Sequence, residues 1–154
     1  MEFRPLGRTG VSVSRFCFGA GMFGYFGNND EKECKKMVDH ALAEGINYFD
    51  TSDVYSHGES ETILGKALKG KRQDVILATK FSLPMDQNPN HKGNSRRWII
   101  EEVENSLRRL DTDYIDLYQA HRPDVSTDID ETLGALSDLV RQGKIRMIGT
   151  STFP

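Results

Sequence analysis

Gly19-Ala20-Gly21-Met22-Phe23-Gly24 reads as GxGxxG, and the residues that follow it decide which of two folds the sequence adopts. In an open, doubly wound sheet such a run turns directly from the first strand into a helix, whose N-terminal amides receive a pyrophosphate. Here a polar, turn-forming stretch, residues 25–29, separates the last glycine from the first helical pattern. No helix opens on the motif, so the match to a dinucleotide-binding turn is weak.

Outward from this turn the chain alternates strand and helix. Short apolar runs bounded by polar or glycine-containing turns mark strands at residues 16–19, 47–50, 75–80, 114–121 and 145–150. Apolar residues at helical spacing lie between them: Cys34, Met37, Val38, Ala41 and Leu42; Ile63, Leu64, Ala67 and Leu68; Ile99, Ile100, Val103, Leu107 and Leu110; Ile129, Leu133, Leu136 and Val140. Asp30 with Glu33 reads as a capping box, Ser60, Ser95 and Thr127 as caps, and Gly45, Gly70 and Gly143 stand where helices should stop. Before the first strand, residues 3–6 and 11–15 flank Gly7-Arg8-Thr9-Gly10, the pattern of a β-hairpin suited to plug a barrel floor. Strict alternation predicts an α/β fold, a parallel (βα) barrel of TIM type. Five strands where a closed barrel has eight make this half a barrel: a single domain over residues 1–154, with a hairpin at 1–15 and five strands and four helices over 16–154.

With 154 residues, 37% of them hydrophobic, the chain can bury a real core but not that of a complete large barrel. The net charge of −3 comes from acidic and basic residues mixed along the chain, so no surface is set up for nucleic acid or an anionic membrane. Met1-Glu2-Phe3-Arg4-Pro5 lacks the apolar stretch of a signal peptide, and no run approaches the roughly 20 apolar residues of a membrane span. A soluble cytoplasmic protein is expected. Cys17 and Cys34 show neither CxxC nor Cys/His ligand spacing and read as reduced, buried thiols, with no metal site.

A barrel assembles its site at the C-terminal ends of its strands. The second predicted strand ends at Asp50 and its loop holds Asp53 and Tyr55; the third ends at Lys80, the fourth at His121, and the fifth runs into Thr150-Ser151-Thr152. Singly each has a structural alternative: Asp50 a turn cap, Lys80 a charged strand end reaching solvent, Tyr55 loop packing, His121 a satisfied core histidine. Jointly, at successive strand ends, they predict a site for proton chemistry. The long irregular segment 82–94 after the third strand is expected at the same rim.

These residues lie in stretches that closely resemble the aldo-keto reductases: Phe49-Asp50-Thr51-Ser52-Asp53-Val54-Tyr55, then Gly58-Glu59-Ser60-Glu61 with Leu64-Gly65, Ala78-Thr79-Lys80, and Leu117-Tyr118-Gln119-Ala120-His121. The likeness covers residues 3–153. It implies a catalytic tetrad of Asp50, Tyr55, Lys80 and His121, no metal, and hydride transfer from NADPH, less often NADH, to a small aldehyde or ketone. In that mechanism Tyr55 donates a proton to the carbonyl oxygen, Lys80 stabilises the tyrosinate, Asp50 holds Lys80, and His121 orients the carbonyl. A charge 4 Å away is worth about 4 kcal/mol at an effective dielectric of 20 but about 1 kcal/mol in water, so such chemistry needs a walled site.

Cofactor contacts implied by position are Gly19, Ala20 and Gly21, then Asp50, and Ser151 with Thr152 for the nicotinamide carboxamide. Two positions depart from the family pattern: Gly21 where a large residue is common, and Ser151-Thr152 where Ser-Asn is common. Gly149-Thr150-Ser151 and Arg122-Pro123-Asp124 look closest to bacterial reductases related to potassium-channel β subunits, some of which have a regulatory role; those subunits tend to carry asparagine where His121 stands. The resemblance further implies that this chain is the N-terminal half, without the strands and loops that grip the adenosine phosphate. A half exposing Lys80 and Tyr55 to water, binding NADPH weakly, and pairing with a second copy or with a separate C-terminal half is the expectation that follows.

Overall fold

In the computed structural model, which describes residues 1–152, the chain begins with an antiparallel hairpin, β1 (Phe3–Pro5) and β2 (Ser12–Ser14). Phe153 and Pro154, the end of the expected domain, lie outside the described residues. Five parallel strands follow, β3 (Phe18–Gly19), β4 (Tyr48–Asp50), β5 (Ile76–Phe81), β6 (Ile115–Ala120) and β7 (Ile145–Thr150). Helices α1 (Glu31–Ala43), α2 (Glu59–Ala67), α3 (Arg96–Leu110) and α4 (Ile129–Arg141) connect them in turn.

The strand order is β3-β4-β5-β6-β7 without a reversal. A doubly wound sheet reverses its order at a switch point; unbroken right-handed crossovers put every helix on one face and make a barrel segment. Successive helices pack on one another along that face. Alternation sorts the strand residues accordingly. Phe49, Leu77, Phe81 and Tyr118 point into the apolar core beneath the helices, with Phe81 and Tyr118 rings 4.7 Å apart. Asp50, Lys80 and Gln119 share the opposite face, which no layer of the described chain covers.

The hairpin is fastened where expected, at the N-terminal ends of the strands. Asn47, just before β4, accepts from Ser14 N–H through Oδ1 (2.7 Å), donates its own N–H to Ser14 Oγ (3.1 Å) and donates Nδ2 to Ser12 O (3.2 Å).

Several local expectations are corrected. Asp30 caps α1 by accepting from Lys32 and Glu33 N–H, but the box is not closed by Glu33. Asn28 intervenes, accepting from Asp30 N–H and donating to Glu33. Ser95 caps α3 as expected. Ser60 lies inside α2, which starts beyond Gly58, and its hydroxyl is used in the core; Asp128 rather than Thr127 caps α4. Gly45 and Gly143 sit one residue past the caps of α1 and α4 with φ of +82° and +75°, the left-handed stop that glycine favours. Cys34 is buried, but Cys17 is exposed, close enough to Asp50 and Lys80 to feel their charges.

Candidate active site

β4 has three residues, Tyr48–Asp50. Asp50 ends the strand, and its loop turns at once into a 3₁₀ turn, Tyr55–Gly58, in which Ser56 and His57 adopt positive φ of 49° and 50°. The glycine run explains how so tight a turn is accommodated. A Cβ on Gly24 would lie 2.6 Å from Ser56 Cβ, and one on Gly21 3.5 Å from the Tyr55 ring. Ser56 Oγ donates to Phe23 O (3.1 Å) and accepts from Phe26 N–H (3.2 Å). The GxGxxG wording therefore lets the first loop press against the turn that carries Tyr55.

Parallel register places Gly19 beside Asp50, and the strand ends bring all four predicted residues together. Lys80 is 6% exposed. Its Nζ pairs with Asp50 Oδ1, donates to Thr51 O at 2.8 Å, and reaches Tyr55 Oη at 3.5 Å. The ammonium also lies 5.1 Å from the centre of the Tyr55 ring. The His121 ring meets Tyr55 edge-on, centroids 5.8 Å apart at 86°. Burial, then the Lys80 and Arg122 charges, lower the pKa of His121 below its ordinary 6.5, so the imidazole is neutral at pH 7. The expectation that a half barrel leaves Lys80 in water is not met: its own strand neighbours, the Thr51 carbonyl and the Asp50 carboxylate enclose it.

Two members of the site escaped the sequence reading. Gln119 Nε2 donates to Asp50 Oδ2 (3.1 Å), so that both carboxylate oxygens are engaged. The signal was present, since period-two alternation puts Gln119 on the face of Asp50 and Lys80. Ser52 Oγ lies 3.1 Å from His121 Nδ1, a contact across 69 positions of sequence with no local signal.

Of the expected cofactor contacts, Gly19 leaves open space where a side chain would stand. Ser151 and Thr152 present hydroxyls 3.3 Å apart on the same rim, with Ser151 N–H donating to Ala120 O. Ala20 is different: it is fully buried, its N–H donates to Asp50 O, and its carbonyl accepts from Phe23 N–H and Ser60 Oγ. It shapes the loop and offers no free group. The open cradle at Gly19 and Gly21 beside Tyr55 and the paired hydroxyls at the end of β7 fit a flat carboxamide-bearing ring.

The rim continues into an open cleft of about 520 Å³ lined by Ser82, Leu83, Lys92, Arg122 and Val125. Asn94 and Asp124 tie its two loops: Asn94 N–H donates to Asp124 Oδ2 (2.9 Å) and Asn94 Nδ2 to Arg122 O (3.1 Å). Among the described residues no group of three or more His, Cys, Asp or Glu side chains is arranged to hold a metal ion.

Behind the site, between the sheet and α2 and α3, Arg109 bridges two buried carboxylates, Glu61 (2.5 Å) and Glu102, while Thr79 Oγ1 donates to Glu61 at 2.6 Å. Asp53 and Tyr118 border this cluster.

The family model described as "Aldo/keto reductase family" matches residues 15–154. "Aldo-keto reductase YhdN" of Bacillus subtilis (strain 168) is 46% identical over 99% of this chain and 47% of its own length. A rice protein, Oryza sativa subsp. japonica, named "Probable voltage-gated potassium channel subunit beta", is 39% identical over 98% of this chain and 46% of its own. Among solved structures, the holo form of aldo-keto reductase AKR11C1 from Bacillus halodurans superposes with a TM-score of 0.89 at 44% identity, covering 98% of this chain and 50% of that one. The chain thus spans about half the length of the relatives it matches.

Proposed function

The chain belongs to the aldo/keto reductase family, and from that premise we propose that it carries the proton-handling half of an NADPH-dependent reductase of small aldehydes or ketones, with NADH the alternative cofactor. The observation that carries the reading is the contact of Lys80 Nζ with both Asp50 and Tyr55 Oη in one buried cluster.

Gly19, Gly21, Asp50, Ser151 and Thr152 would hold the nicotinamide end. When bound, NADPH supplies a hydride to the carbonyl carbon. Tyr55 Oη gives its proton to the carbonyl oxygen, whose π pair becomes the new O–H bond. The tyrosinate left behind faces the Lys80 ammonium, which Asp50 and the Thr51 carbonyl hold in place. Gln119 keeps Asp50 from turning away. His121, its ring edge-on to Tyr55, would orient the carbonyl.

Likeness to channel β subunits supports a second, regulatory reading, but a complete tetrad including His121 favours the enzyme. The same reading places the protein in the cytoplasm, supported by two unpaired cysteines, Cys17 and Cys34; among the described residues no helix is long and apolar enough to cross a membrane. It also has the open face of β3 to β7 covered by a segment matching the second half of the longer relatives.

The test is Tyr55→Phe in the full-length protein, assayed by NADPH absorbance with an aldehyde panel. Loss of at least about 100-fold in kcat is expected for removal of a general acid; undiminished reduction refutes the assignment.

A further inference from the structure

The cleft beyond the tetrad is built on two loops that leave the site directly: Ser82 follows the last residue of β5, and Arg122 follows His121. Main-chain contacts pin both loops. The Arg122 carbonyl accepts from Ser82 Oγ and from Asn94 Nδ2, each at 3.1 Å, and Gly93 N–H, beside Lys92, donates to Ser82 O at 2.7 Å. Gly93 has a φ of +81°, and a Cβ there would stand 2.6 Å from Asp124 Oδ2, so glycine lets the loops close on one another. Lys92 from one loop and Arg122 from the other line the cleft on fixed backbone, both exposed.

The charges there do not cancel. Asp124 is the carboxylate of the cleft, and its oxygens are taken. Oδ1 accepts from Ser126 N–H (2.9 Å) and Ser126 Oγ (2.6 Å), Oδ2 from Asn94 N–H (2.9 Å) and Thr127 Oγ1 (2.6 Å). Burial opposes ionisation, but these donors hold the carboxyl below the ordinary carboxylate range, so Asp124 is charged at pH 7 and spent on its own loops. Neighbouring basic groups have acids: His91 lies against Asp86 and Glu101, and Arg96 against Asp138. Lys92 and Arg122 have no carboxylate within 4.0 Å among the described residues. Ser95, which caps α3, also lines the cleft, and the first turn of that helix carries no acid, so its positive end adds to the same sign.

We propose that this cleft receives a carboxylate on the substrate, remote from the carbonyl that meets Tyr55, with Arg122 as its chief partner and Lys92 as the second. This names a substrate class for the site and rests on reading that site as a carbonyl reductase. A guanidinium offers two parallel N–H donors that match a carboxylate, which Lys92 cannot do. Arg122 also stands next to His121, which already feels its charge. Two cations against the fixed Asp124 charge leave a surplus of one, the match for a single carboxylate rather than a phosphate dianion. Aldehydes or ketones that also carry an acid group, oxo acids in the broad sense, are the class that follows.

The experiment compares 4-formylbenzoate with 4-formylbenzamide, alike in shape and different in charge, as substrates of the full-length protein with NADPH. In low salt the carboxylate should have a KM about tenfold below that of the amide, and the advantage should shrink at about 0.5 M NaCl. Arg122→Met should remove most of this KM ratio, Lys92→Met less of it, and Arg122→Lys should retain part. Equal KM values in the wild type, or a ratio that survives Arg122→Met combined with Lys92→Met, overturns the proposal. Should the double variant fail to fold, the wild-type ratio and its salt dependence decide alone. If neither aldehyde is reduced, the reductase reading fails first, and saturation-transfer NMR with benzoate and benzamide still tests the cleft. Benzoate should bind where benzamide does not, and lose that binding in the double variant; equal signals from the two overturn the cleft assignment as well.

Discussion

His121 shows how a single side chain couples the site to solution conditions. Its pKa is lowered in the folded chain by burial and by Lys80 and Arg122, so across the interval below the ordinary 6.5 the unfolded chain binds more protons than the folded one. Stability is then full above that value and is lost as pH falls through it. The urea midpoint should therefore drop between about pH 7.5 and about pH 5.5, and His121→Asn should flatten the dependence; a midpoint that rises toward acid contradicts the assignment. At this scale the sequence was most informative about which residue types stand at strand ends, because strand-end position follows from apolar runs. It said nothing of Ser52 meeting His121, since that contact depends on how a loop after β4 folds over the end of β6. Nor did it foresee that Lys80 is enclosed. A lysine at a strand end reads as reaching water until a carboxylate and a carbonyl on the neighbouring strand and its loop are seen to receive it.

Among elements, the contact between α2 and α3 is the tightest test of packing. A Cβ on Gly65 would stand 2.4 Å from Leu110 O and 2.6 Å from its carbonyl carbon, both main-chain atoms that have little room to yield. Gly65→Ala should therefore destabilise by about 1–3 kcal/mol, read as a lower denaturant midpoint; a variant as stable as wild type would show that α2 shifts freely. The same pair of helices encloses Arg109 between Glu61 and Glu102, which fixes their register from the polar side. Helix and strand order were legible because amphipathic periodicity survives in every helix. The ends were less so. Ser60 and Thr127 are good capping types, yet Ser60 is needed by Thr51 and the Ala20 carbonyl, and Asp128 is one residue closer to the turn that α4 must cap. The GxGxxG letters misled only if read as phosphate chemistry; their use is close approach of one loop to another.

Among the described residues, the feature that matters at the largest scale is a sheet with one face under helices and the other open, and with β3 and β7 as edges that pair with no further strand. Ile148 on β7 and Phe16 before β3 are exposed apolar residues at those edges. Such edges seek partners. Light scattering of the 154-residue chain should show association that disappears when the remaining half of a full-length relative is supplied in trans; a concentration-independent monomer with no affinity for that half is the contrary result. The strand count and the open barrel were legible from the alternation of strand and helix, whereas the enclosure of the tetrad was not. That enclosure has a further meaning. Asp50, Lys80 and His121 stand at the ends of three adjacent strands, with Tyr55 on the loop of the first, so the four residues proposed to handle the proton lie in one contiguous block. Recombination after β7 would leave that block whole, so chimaeras joined there should inherit a common reaction while taking the rest of their choice of substrate from whichever sequence follows.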